Sequence, residues 1–247
     1  MSTATRTSRI KPTSEAHRWW ARAAYNGQDR AAALAALESS GIPLKAVAGT
    51  KDLLSAMARG DALTKGAAGL AVPRRKGSAK NARYHRLLQW RLVMGYAGFE
   101  VFAKACLRKP EKGAGLGLED FERLVCSCRL PALAISQPVL NAETSRWLSR
   151  EGNGDPIDVL GDFLRLATGQ KAFLHDWFKG RAIQQHVDAL HLAKILRHTT
   201  AHGVLSPTKC HGLGLTDALK ALPRAIDEVR VAVIGRFYEC RSRDASK

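Results

Sequence analysis

The chain has 247 residues, 45% of them hydrophobic, with 39 Lys and Arg against 22 Asp and Glu, a formal charge of +17. That content suffices for one large globular domain or one domain plus an extension. Five cysteines, an odd set without CxxC spacing, exclude a disulfide framework and fit a reducing compartment.

Residues 1–13 are basic and hydroxyl-rich without an apolar core, so no secretory signal is expected and a cytoplasmic location is. The first 91 residues hold 17 basic and 5 acidic side chains, a net of +12, against 22 and 17, a net of +5, in the remainder. A field of that sign attracts polyanions such as nucleic acid without selecting sequence; a solvated basic surface gives the same count. From Ser14 to Ser39 the apolar spacing predicts helix, broken at Asn26-Gly27 and ended by Gly41-Ile42-Pro43. Trp19 and Trp20, flanked by Arg18 and Arg22, are suited either to stacking on unpaired bases or to anchoring this helix on the core. A short helix at about 51–59 follows. Gly60 to Lys80 then reads as a flexible basic linker whose Arg74, Arg75, Lys76 and Lys80 are candidate RNA contacts.

From about Asn81 to Arg108 a long helix is expected, its buried face drawn by Leu87, Trp90, Met94, Ala97, Val101 and Ala105. It has no membrane-spanning character, because Glu100 and Lys104 interrupt its most apolar part. Glu100 needs a cation or donors if buried, and an i,i+4 pair with Lys104 if not. Gly113, Gly115 and Gly117 form a loop, since no strand precedes them. Short helices are predicted over Leu118–Leu130 and Val139–Leu148. Asp155-Pro156 starts two more, split near Gly169. A central helix within 181–203 carries Ala189, Leu192, Ala193 and Leu196 on one face and ends at Gly203, with Pro207 beyond. A last amphipathic helix runs through Leu219, Leu222, Ile226, Val229, Val233 and Phe237, with Pro223 near its start. No segment alternates as a strand would, so the fold expected is all-α: a basic, partly flexible helical extension and linker (1–80), a helical domain (81–240) and a tail (241–247).

The central helix ends in Arg197, His198 and His202. At 100° per residue Arg197 and His202 point about 140° apart on an unbroken helix, whereas His198 and His202 share a face. Two chemistries follow: Arg and His acting on a phosphate, or a metal held by His198 and His202 with Cys210 or His211. The HxxxH pair lacks the adjacent Glu of the zinc-protease motif, so no metal or other cofactor is expected. Arg181 and His186 repeat the Arg-x4-His spacing, but would open a helix rather than end one.

The stretches Tyr96–Lys104 and Leu196–Gly203 resemble the HEPN family (higher eukaryote and prokaryote nucleotide-binding domains), helical bundles with an Arg, four to six residues and a His near the end of a late helix. The resemblance covers about residues 81–240 and implies an antiparallel helical bundle. It implies further a metal-independent endoribonuclease, its active site composed by two protomers of a homodimer. His202 would transfer protons, Arg197 would clamp the phosphate, His198 would assist and Glu100 would hold Arg197. The product would be a 2′,3′-cyclic phosphate, and the role that of a toxin or defence protein with a cognate inhibitor. The alternative implied is a non-catalytic RNA- or nucleotide-binding module of the same fold.

Overall fold

Helical apolar spacing is realised throughout the part of the chain that the computed structural model describes, residues 59–60, 62–64, 66–67, 69–71, 82–110, 112–126, 128–151 and 155–244. From residue 82 onward the described helices are α1 (Ala82–Cys106), α2 (Leu118–Val125), α3 (Ala142–Glu151), α4 (Pro156–Phe163), α5 (Thr168–Phe178), α6 (His186–Ala201), α7 (Pro207–Gly212) and α8 (Thr216–Asp244). Among the described residues no strand forms, and the all-α expectation holds at that level. One isolated antiparallel bridge joins Ile135 and Ile183. The expected helix at 14–39, Trp19, Trp20 and the basic residues 74–76 and 80 lie outside the described residues.

The longest helices, α1, α6 and α8, pack on one another and supply the centre of the core. Leu88, Leu92, Phe99 and Phe102 of α1 are buried against Leu192, Ile195 and Leu196 of α6 and Leu219, Leu222, Ile226 and Val229 of α8. Around this centre α2 lies on α6, α7 on α1, and α4 pairs with α5.

Local chemistry sets the boundaries. Asp155 Oδ1 accepts the Ile157 N–H at 2.9 Å and Pro156 occupies the first turn, as the Asp-Pro pair predicts. Asn141 caps α3 by accepting the Thr144 N–H at 2.7 Å, which moves the expected Val139–Leu148 helix three residues onward. Gly203 closes α6 with φ +71°, the left-handed conformation expected there. Pro207, read as preventing resumption, opens α7 with Ser206 as its cap. Pro223 lies well inside α8, and the helix continues to Asp244.

Two expectations need correction. The buried face of α1 is not the one drawn from Leu87, Trp90, Met94, Ala97, Val101 and Ala105: of these only Ala105 is buried, while Trp90 is 56% and Met94 40% exposed. The core side carries Leu88, Leu92, Tyr96, Phe99 and Phe102, roughly opposite at 100° per residue. Both rows have helical spacing, and periodicity alone does not choose between them.

The second concerns the linker. Residues 59–60, 62–64, 66–67 and 69 are helical and cross α1 at close range. A Cβ on Gly60 would meet the Phe102 nitrogen at 2.4 Å, and one on Gly98 would meet Leu63 Cβ and Thr64 nitrogen at 2.7 Å. The Gly and Ala content read as flexibility instead permits two helices to touch. Gly98→Val is expected to cost about 1–3 kcal/mol by overpacking. Earlier urea unfolding together with faster proteolysis near residue 60 would show it; an unchanged midpoint would mean that this contact contributes nothing.

Candidate functional site

Lys194, Arg197 and His198 of α6 lie at i, i+3 and i+4, so they share one face near the helix end. Cations there are favoured by the negative pole of the helix. They line a cleft of about 420 Å³ with Tyr96 and Glu100 of α1, Gln170 of α5, and Gly113 and Gly115 of the loop between α1 and α2.

That loop is fastened on both sides of the cleft. Lys194 Nζ donates to the Leu116 carbonyl at 2.6 Å. Asp120 Oδ2 accepts from Lys109 Nζ at 2.5 Å and from the Gly117 N–H at 2.8 Å. Burial works against the Asp120 charge, but the hydrogen bonds from Lys109 and Gly117 and the charges of Lys109 and Arg123 outweigh it, holding its carboxyl below the usual value. A depressed carboxyl contributes stability that is present above the unfolded value, ordinarily about 3.9, and is lost as pH falls through the folded one. Asp120→Asn is therefore expected to lower stability at neutral pH by about 1–3 kcal/mol and to narrow the difference from wild type in acid. A wild-type gap that persists at pH 2 would assign the loss to packing instead.

The predicted site residues are distributed as follows. Glu100 is largely buried and meets the cation that burial requires, its Oε1 3.3 Å from Lys104 Nζ; that cation is the i,i+4 neighbour, so the pair expected of an exposed Glu100 forms in the interior instead. It does not hold Arg197 by an ion pair: the two share the cleft, and Arg197 makes no ion pair among the described residues. Arg197 Nε is buried without an acceptor there, and so is the Tyr96 hydroxyl. Burial first, then the Glu100 charge, pushes the Tyr96 phenol far above its ordinary value against the opposing pull of Arg197, so it stays a neutral donor. The cleft thus presents a guanidinium, an ammonium and a phenol facing one carboxylate.

His202 lies outside the cleft lining. The helix runs unbroken to Ala201, and His202 caps it with its N–H on the His198 carbonyl. The angular separation from Arg197 therefore persists, and His198 is the link between them. The His198 and His202 rings lie 4.4 Å apart between centroids. Partial burial, then the neighbouring His202, Arg197 and Lys194, hold His198 below the usual histidine value. It therefore remains neutral further into acid than a free imidazole.

The repeated spacing at Arg181 and His186 has an architectural part. His186 Nε2 meets Glu228 Oε2 at 3.1 Å and Arg181 meets Asp188 at 3.4 Å, fixing the start of α6. The His198, His202, Cys210 and His211 set does not assemble: among the described residues no three His, Cys, Asp or Glu side chains are grouped to hold a metal ion. The Cys210 thiol is fully buried and pushed up to about 12 by that burial, and the His211 ring packs on His85 at 5.5 Å.

Sequence reasoning assigns no site role to Lys194, Tyr96 or Gly115, although Tyr96 opens the family-like stretch and Gly115 lies in the glycine loop. Lys194 is one helical turn before Arg197, a spacing that identifies it once the face is known. Among the described residues no helix is long and apolar enough to cross a membrane. No family model, no curated protein and no solved structure matches this chain.

Proposed function

We propose that the protein is a metal-independent endoribonuclease acting at the end of α6. The observation that supports this most is the grouping of Lys194, Arg197 and His198 around one cleft, with the His202 ring 4.4 Å from that of His198. RNA carries its own nucleophile, so the protein has only to move two protons and to stabilise an anionic phosphorane. His198, held neutral, takes the 2′-hydroxyl proton as the 2′-oxygen bonds to phosphorus. His202 gives a proton to the departing 5′-oxygen as its bond to phosphorus breaks, leaving a 2′,3′-cyclic phosphate. Arg197 and Lys194 meet the phosphate oxygens, the guanidinium as a fork and the ammonium as a point charge. Glu100, paired with Lys104, bounds the cleft on the α1 side.

Because His202 stands at the rim, the site suits completion by a second copy of the chain, and a homodimer belongs to this reading. So does a toxin or defence role checked by a cognate inhibitor, which growth arrest on expression, relieved by His202→Ala, would support. The direct test is incubation of purified protein with structured and single-stranded RNA in excess EDTA. Cleavage by wild type alone, with cyclic phosphate ends, is the result expected. Bound but intact RNA would favour a non-catalytic RNA-binding module, which the basic N-terminal third also suits.

A further inference from the structure

A second cavity, of about 240 Å³, lies between α3, α4 and α7. It is smaller than the roughly 300–1,000 Å³ of pockets that take drug-sized ligands, so it has room for a single ring system. Its wall is aromatic: the Trp147 and Phe163 rings meet edge to face, 5.2 Å between centroids and 86° between planes. Trp147 is 36% exposed. Lys209 Nζ sits 3.9 Å from the Phe163 ring centroid.

The floor is polar. Asn141 Oδ1 is used in capping α3, but its Nδ2 donates no hydrogen bond among the described residues, and the Thr144 hydroxyl makes none either. Gly212 keeps that floor open, since a Cβ there would fall 2.2 Å from Thr144 Oγ1. An apolar face for stacking, an amide and a hydroxyl for an edge, and the Lys209 cation at the rim together describe a planar heterocycle attached to an anion, which would meet Lys209 rather than the Glu143 carboxylate that also lines the pocket. A peptide aromatic side chain would use the ring wall but not these hydrogen-bonding groups or the charge.

The pocket also adjoins the end of α6. Lys209 Nζ donates to the Val204 carbonyl at 3.5 Å, two residues beyond His202. We propose that this pocket holds one unpaired nucleobase of a single-stranded RNA whose backbone continues to the Arg197 and His198 cleft. The inference rests on the RNA reading above and adds a base-binding subsite to it.

The test uses short 2′-O-methyl RNA, which lacks the nucleophile and reports binding alone. Oligomers with a single abasic ribose at each position in turn are titrated by fluorescence anisotropy against the full-length protein. Wild type is expected to lose roughly tenfold in affinity at one position, the scale of one stacked base. Trp147→Leu, which keeps apolar volume, should bind the intact oligomer roughly tenfold more weakly and lose that positional difference. Lys209→Met, at an exposed position, should weaken the intact oligomer without unfolding risk. Identical profiles for wild type and both variants would overturn the subsite while leaving the RNA reading in place. Absence of RNA binding by wild type would overturn both. Binding of N-acetyl-tryptophanamide that does not compete with RNA would overturn it in favour of a peptide site.

Discussion

Arg197→Ala is expected to slow RNA cleavage at saturating substrate by about 10²–10³, the usual loss when one donor to a developing oxyanion is removed. His202→Ala is expected to cost about 10²–10⁴, the range for a positioned proton donor. Both variants should unfold with wild type, for reasons visible in their surroundings. Arg197 makes no ion pair among the described residues, so its removal strands no buried partner, and His202 is an exposed cap. Arg197→Lys should recover only part of the rate, because an ammonium supplies charge without the fork. The pH profile separates the two imidazoles. A histidine acting as base must be neutral, and His198 is held below its ordinary value, about 6.5 in a free peptide. The acid limb of kcat/KM should therefore fall below that value in wild type. In His202→Ala one of the charges depressing His198 is gone, so the limb of the residual activity should move upward. Wild-type rates in both alanine variants would reject the site outright.

The end of α6 was the most legible part of the sequence because several local rules agreed there. The apolar row, Gly203 and Pro207 fixed where Arg197, His198 and His202 would stand, and the 140° separation of Arg197 from His202 persists in the unbroken helix. The company that these residues keep was not legible. Glu100 reaches the cleft, but its charge is spent on Lys104, and spacing could not choose between that pair and a partner from another helix. Gly115 lies in a loop, as expected where no strand precedes it. Its position over Glu100 Oε1 at 3.5 Å from an ideal Cβ depends on how Lys109, Asp120 and Lys194 tie the loop down, a tertiary fact with no local signature. The stretch from Gly60 failed for a related reason: glycine and alanine serve a flexible linker and a close helix crossing equally well, and only a facing Gly98 distinguishes them.

Phe99→Ala is expected to be the most damaging single truncation in α1, at about 3–5 kcal/mol. In a domain of this size that lowers Tm by about 2–4 °C for each kcal/mol. Trp90→Ala removes a larger side chain from the same helix, about two and a half turns away, yet should cost under about 1 kcal/mol because surface changes rarely cost more. Side-chain size and helix propensity predict the reverse order, so the comparison reads the rotation of α1 directly. Phe99 is fully buried and its ring lies 6.2 Å from that of Tyr96. Trp90 is 56% exposed. The same rotation directs Tyr96 and Glu100, one turn apart, toward Lys194 and Arg197, since both line the cleft with them. Urea midpoints for the two variants thus bear on the site as well as the core. If Trp90→Ala were as damaging as Phe99→Ala, α1 would be turned toward the face first drawn from Trp90 and Met94, and Glu100 could no longer bound the cleft.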